Sequence, residues 1–152
     1  MAVKTLKPPG ADAVVEFSIF TENKVGRLNA LIHDLSDAGV HIMALSTLDT
    51  TDCAIVRIVA DYPEVADKAL RAKHYAFATS PVLAVELLGE HELKKVTCGL
   101  EQAEINIHHY YPFLVRPENR SGMVMRVEDL DLAEDVLKRH GIIVLHRGDI
   151  AR

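Results

Sequence analysis

From Val14 to Phe20 apolar and polar residues alternate, with Val15, Phe17 and Ile19 on one side and Glu16 and Ser18 on the other. That is the period-2 pattern of a half-buried strand. At Gly26 the period changes, and Leu28, Leu31, Ile32 and Leu35 fall at helical spacing until Gly39 supplies a stop. His41 to Leu48 and Cys53 to Ala60 are predicted strands, joined by the turn Asp49-Thr50-Thr51-Asp52. Asp61, Pro63 and Glu64 form a helix start, and Val65, Ala66, Ala69 and Leu70 give that helix an apolar stripe. A short strand over 75–80 should be broken by Ser80-Pro81.

The order then begins again. Val82 to Leu88 is a predicted strand, and Leu93, Val96, Leu100 and Ala103 mark a helix. Ile105 to Val115 is a long strand, followed by a turn from Arg116 to Gly122 and a strand over Met123 to Val127. Leu132, Ala133, Val136 and Leu137 belong to a helix closed by Gly141, and Ile142 to His146 is the last strand. AGVHIM at 38–43 can be laid over AEINIH at 103–108, and VADKAL at 65–70 over LAEDVL at 132–137. The chain is an internal duplication.

Strand–helix–strand–strand–helix–strand, twice, is the ferredoxin-like βαββαβ order. The expected fold is α+β: two such units with antiparallel sheets side by side and helices on one face. Residues 1–12, with Pro8, Pro9 and Gly10, are a tail. Residues 13–80 form the first unit and 81–152 the second. Each is short for an independent core, so the two should pack together.

Charge narrows the partners. At −5 the chain suits neither a nucleic acid nor an anionic membrane, and only 5% of residues are aromatic. No apolar run spans a bilayer and no signal peptide opens the chain, so a cytoplasmic location is expected. Cys53 and Cys98 stand alone and are read as buried small hydrophobes.

In the first unit, FTENKVGRLNALIHDLSDAGVHIMAL followed by DCAIVRIVAD resembles the ACT domain, a small-molecule-binding module of amino-acid metabolism. The family's turn of Asp or Asn, any residue, Pro, Gly, any residue and Leu corresponds to Asn23-Lys24-Val25-Gly26-Arg27-Leu28, with Val25 where proline is usual. Its entry to the second strand corresponds to Ala38-Gly39-Val40-His41-Ile42, with His41 where Asn is common. PEVADKALRAKHYAFATSPVLAVEL resembles short proteins built of two such domains. In the second unit, Leu88-Gly89-Glu90-His91-Glu92-Leu93 has lost the turn's Gly before Leu, while Ile105-Asn106-Ile107 keeps the strand entry.

The resemblance implies a non-catalytic sensor that holds a small amino acid or related metabolite between two ACT units. One unit supplies the turn and the other a facing strand. The residues implied are Glu22, Asn23, Lys24, Val25, Gly26, Arg27 and Leu28, with His41, Ile42 and Asn106 from strand entries. A helix start with unpaired N–H groups suits a carboxylate, and an Asn amide both donates and accepts. Asn23 as a plain helix cap is the competing expectation. One site per chain is expected, in the first unit. No cofactor is expected. Exposed sheet edges favour a homodimer, and a partner enzyme or regulator would respond to the ligand.

Two alternatives stay open. Eight histidines admit a metal-binding regulator, with His108 or His109 paired to His41 or His146 across the sheet, although no ligand spacing appears. A small ferredoxin-like enzyme is the other, although no nucleophile motif or phosphate-cradling loop is present. Tyr110, Tyr111 and Phe113 are expected to cover a sheet or dimer face, and Arg116 and Arg120 to be solvated.

Overall fold

The computed structural model describes residues 12–115 and 120–151. The tail expected over 1–12 lies, Asp12 apart, outside the described residues, as does Arg116. The first unit contains β1 (Val14–Glu22), α1 (Arg27–Asp37), β2 (Ile42–Asp49), β3 (Cys53–Ala60), α2 (Pro63–Ala72) and β4 (Ala76–Leu87). After it come α3 (Glu90–Gln102), β5 (Ile107–Pro112), β6 (Ser121–Val127), α4 (Leu130–Arg139), β7 (Ile143–Leu145) and α5 (Arg147–Ile150).

No break occurs at Ser80-Pro81: β4 runs through it, so the boundary drawn between residues 80 and 81 falls inside a strand. Over Ala76–Val82 this strand pairs with β1, and over Leu83–Leu87 with β6, while β7 takes its other edge at Ala84–Glu86. One long strand is thus the last strand of the first unit and the first strand of the second. The ferredoxin-like strand order appears twice in a single antiparallel sheet, β2-β3-β1-β4-β6-β5 with β7 beside β4. Pro81 lies opposite Val15 where β1 is the only paired neighbour. A proline is tolerated at such an edge because no second ladder needs its missing N–H.

Helices cover one face of each half. Phe17, Leu31, Leu35, Ile58 and Leu70 form the core beneath α1 and α2, and Leu83, Val96, Leu100, Met125 and Leu137 that beneath α3 and α4. Each such side chain contributes roughly 1.5–3 kcal/mol through its removal from water. A third core lies on the side away from α1 to α4, where Val14, Met43, Val59 and Val82 meet Tyr111, Val124, Leu145 and Ile150 of the short α5. The sheet curls to enclose it: Ala44 bridges Phe113, and Leu114 N–H donates to the Met43 carbonyl at 2.8 Å. Tyr111 and Phe113 therefore cover a sheet face, as expected, whereas Tyr110 is exposed.

α1 to α4 all end alike. Gly39, His74, Glu104 and Gly141 adopt positive φ (79°, 60°, 56° and 77°). The amide after each returns to a carbonyl five residues back: Val40 to Leu35, Tyr75 to Leu70, Ile105 to Leu100 and Ile142 to Leu137. This left-handed stop is written as glycine at only two of the four sites, which is why two were missed.

Other expectations shift. Cys98 is exposed and Cys53 half-buried, because Cys98 sits on the outer face of α3 and Cys53 at a hairpin mouth. Asp61 does not cap α2, whose cap residue is Tyr62. The predicted strand over 105–115 shortens to β5, which carries a register shift between Ile107 and His109. β7 gives way to the short helix α5, whose Arg147 N–H binds the Asp12 carbonyl at 3.0 Å. Among the described residues no helix is long and apolar enough to cross a membrane.

Candidate functional site

The β1–α1 turn is built by short-range bonds. Lys24 N–H donates to the Glu22 carbonyl (3.0 Å) and Arg27 N–H to the Lys24 carbonyl (3.2 Å). Gly26, at φ 88°, is the cap residue of α1, with no side-chain cap and no acidic residue in the first turn. The positive end of α1 is therefore left uncompensated, and the first-turn amides of Leu28 and Asn29 have no intrahelical acceptor. The Arg27 amide, expected among the free donors, is already used by Lys24.

Asn23 does not cap the helix. Its Nδ2 donates to Asp49 Oδ1 (2.5 Å) and to the Thr50 carbonyl (3.3 Å), tying the turn to the β2–β3 hairpin. Glu22 is gripped by Lys24 Nζ (3.0 Å) and Arg27 (3.2 Å). Bonding to Lys24 first, then to Arg27, holds its carboxyl below the ordinary range. Val25, where the family has proline, is fully exposed and touches nothing in this chain.

Two hollows flank the turn. One of about 240 Å³ lies between it and the hairpin, with Leu28, Leu48 and Val56 among its apolar walls and Lys24, Arg27 and Asp49 among its charged ones. Another of about 400 Å³ lies toward β4, lined by Phe20, Ala30, Lys73 and Tyr75. Glu22 and Arg27 border both, so their ion pair is the shared wall. Tyr75 is tied to α1 by its hydroxyl, which donates to Asp34 at 2.7 Å. Asp49, Leu48, Lys73 and Tyr75 were not foreseen. The ferredoxin-like order itself sets the β2–β3 hairpin and the β1–α1 turn at one end of the sheet, and that geometry was a usable signal.

His41, Ile42 and Asn106 are not brought to the turn within one chain. His41 precedes β2 at the strand's far end, and its Nδ1 is 2.8 Å from Asp61 Oδ2 while its N–H donates to Asp61 Oδ1. Eight residue steps of strand put it about 26 Å from Asp49. Ile42 packs into the core beneath α1. Asn106 is exposed ahead of β5, and its carbonyl accepts the Glu128 N–H at 3.0 Å.

In the second unit the equivalent turn is filled from within. Glu92, 7% exposed, turns its carboxylate back to accept the Leu88 N–H at 2.7 Å. A side-chain carboxylate thus sits at the helix start where the first unit leaves its amides open.

A different polar cluster joins the two units on the side away from α1 to α4. Glu16 is wholly enclosed and accepts from the Tyr111 hydroxyl at 2.7 Å, and His109 Nε2 lies 2.9 and 3.0 Å from its two oxygens. Burial first, then the Glu16 charge, push the Tyr111 phenol far above its ordinary range. Arg57 Nε lies 4.0 Å from Glu16. His41, His109 and His146 are each engaged by a carboxylate, of Asp61, Glu16 and Glu134. Among the described residues no three His, Cys, Asp or Glu side chains are grouped to hold a metal.

Residues 12–151 match the model of the ACT domain pair family. The chain is similar to protein BT0572 from Bacteroides thetaiotaomicron, at 28% identity over 94% of this chain and 99% of that one, with a TM-score of 0.83. It shares its fold with the regulatory subunits of aspartate kinase from Thermus thermophilus (12% identity, 84% and 92% covered, TM-score 0.60) and Thermus flavus (14%, 84% and 92%, 0.57). No curated protein matches. An enclosed repeat of ferredoxin-like units, a Gly26 turn tied to the neighbouring hairpin, and a match along nearly the whole length agree: the chain belongs to the ACT domain pair family.

Proposed function

We propose that this protein is a non-catalytic sensor that binds a small amino acid or related metabolite at the β1–α1 turn of its first unit. The observation that carries this is the hollow of about 240 Å³ between turn and hairpin, which is the size of such a ligand. Its lining includes Leu28, whose amide has no intrahelical acceptor, and the Lys24 and Arg27 cations, which already hold Glu22, for a carboxylate; Asp49 suits an ammonium, and Leu28, Leu48 and Val56 a short apolar side chain. One site per chain follows, because Glu92 occupies the corresponding place in the second unit.

Within one chain no strand entry faces this turn. A second wall, with His41 and Ile42, would come from another copy, so the site is an interface between ACT units of two chains and the protein is a homodimer. Val25, bare in one chain, would be covered there. The ligand would favour one packing of the pair, and a partner enzyme or regulator would respond to it.

A thermal-denaturation screen against the twenty amino acids at millimolar concentration tests this. A ligand at a hundred times its Kd stabilises by about 2.7 kcal/mol, a readily measured rise in Tm. Absence of any stabilisation, or stabilisation undiminished in Gly26→Asp, overturns the reading.

A further inference from the structure

We propose that the larger hollow toward β4 is a second binding site, across the Glu22–Arg27 pair from the first, for a monocarboxylic acid with an aromatic body. Its volume of about 400 Å³ lies between the end of β1, the first turn of α1 and the α2–β4 loop. Donors line it from two directions. Arg27 stands on the α1 side, and Lys73 and His74 on the loop side. A carboxylate between them meets charge-assisted donors on both walls.

These donors have capacity to spare. Lys73 Nζ reaches only Asp34, at 3.7 Å, and that carboxylate already accepts from the Tyr75 hydroxyl at 2.7 Å. The His74 ring and the Thr21 hydroxyl, both in the lining, have no partner among the described residues. Arg27 holds Glu22 through one terminal nitrogen, at 3.2 Å, and a guanidinium carries five N–H donors.

His74 gives an independent sign. It holds φ at 60°, where the matching stops after α1 and α4 are glycine. A side chain strains the backbone there, and glycine would relieve it. The ring makes no bond within the chain in return. It borders both this hollow and a neighbouring one of about 590 Å³ that shares Tyr75 and Ala76 with it. A strained residue with an unpartnered ring beside two hollows is placed to meet a ligand.

Charge and shape fix the class of ligand. Arg27 and Lys73 against Glu22 leave one net positive charge on the lining besides His74, which suits a single carboxylate. Glu22 is the one carboxylate among the described lining, and Lys24 and Arg27 already grip it. An α-ammonium therefore finds no free acceptor, whereas the hollow beside the hairpin has Asp49. Phe20 is 43% exposed and lies directly opposite Ala76 on β4. Ala30 and Ala76 are small, so they leave the Phe20 ring open to an aromatic body.

Titrating the full-length protein calorimetrically with acetate, 3-phenylpropionate, 3-phenylpropanamide and phenylalanine tests this, with backbone amide NMR shifts placing the ligand. 3-Phenylpropionate should bind with a Kd of about a millimolar. Acetate, the neutral amide and phenylalanine should each bind at least about tenfold more weakly. The amides of Thr21, Lys73 and His74 should shift on saturation. Lys73→Ala should weaken 3-phenylpropionate about three- to tenfold. His74→Gly should weaken it similarly while raising the Tm of the free protein, a combination that a purely structural residue does not give. Glu104→Gly relaxes the matching stop after α3 and should leave binding unchanged. The proposal is overturned if 3-phenylpropionate does not bind, if acetate, the amide or phenylalanine binds as tightly, or if the shifts lie elsewhere. Binding undiminished in both Lys73→Ala and His74→Gly also overturns it. The turn site is tested through Gly26 and this one through Lys73 and His74, so either can fail alone.

Discussion

The Glu16 carboxylate on β1 lies 2.9 Å from His109 Nε2 on β5, 93 residues later, and no part of Glu16 is exposed. A charge buried in one unit is thus satisfied by the other, and the two units are not independently complete. Tyr111 adds a second link, and its ring stacks against that of His109.

Glu16→Ala should destabilise the protein by about 3–5 kcal/mol, because it strands His109, Arg57 and the Tyr111 hydroxyl in a closed space. Replacing the group together, as Glu16→Leu with Arg57→Met, His109→Leu and Tyr111→Phe, should recover much of that loss, since apolar substitutes avoid the desolvation cost. Urea denaturation of the single and combined variants checks both. A combined variant as unstable as Glu16→Ala contradicts this account.

Tyr75 gives a pH signature. Burial first, then its bond to Asp34, push its phenol up to about 12. An unfolded tyrosine titrates near 10. Folding therefore favours the protonated phenol: its contribution is complete below about pH 10 and is lost as the pH rises toward 12. The stability difference between wild type and Tyr75→Phe should be constant to about pH 10 and shrink above it. Phenolate absorbance should show one titration near 12 that the variant lacks.

Glu104→Gly should stabilise the protein by about 0.5–1 kcal/mol, and His74→Gly similarly. Each residue holds a positive φ, which costs an L-residue roughly 1–2 kcal/mol, less the extra chain entropy of glycine. Thermal denaturation checks both, and a fall in Tm for Glu104→Gly would show that its side chain makes a compensating contact.

Much of the fold could be read from periodicity because most helices and strands have one wet face, although β4 is buried on both faces over Val82–Leu87. Leu31 and Leu35 are buried where helical spacing placed them, and Phe17 and Ile19 where alternation did. Periodicity does not say where a strand ends when it changes neighbours. β4 passes through Pro81 because only one ladder exists there, a fact of sheet topology rather than of local sequence. The site was legible to the same extent. Gly26 marked the turn, but the tie from Asn23 to Asp49 depends on two loops meeting, and a helix cap was the more local expectation. Glu16 reads as the wet face of its strand. Curling of the sheet, which brings β5 over β1, made that face an interior.

Gly26→Ala and Gly141→Ala separate the turn's conformational role from its binding role. Both glycines have positive φ (88° and 77°), and at neither would a Cβ meet an atom within 4 Å. The strain is therefore alike, and each substitution should cost about 1 kcal/mol of stability. Gly141 ends α4, remote from the first unit's turn, whereas Gly26 is the cap residue of α1 in the turn beside the proposed site. Stabilisation by the amino acid found in the screen should survive Gly141→Ala and fall at least about tenfold in apparent affinity in Gly26→Ala, since one charge-assisted bond is worth roughly 1.5–3 kcal/mol. Paired denaturation curves with and without ligand measure both effects at once. Equal ligand stabilisation in the two variants would mean that Gly26 is needed only for the turn, and that the ligand binds elsewhere.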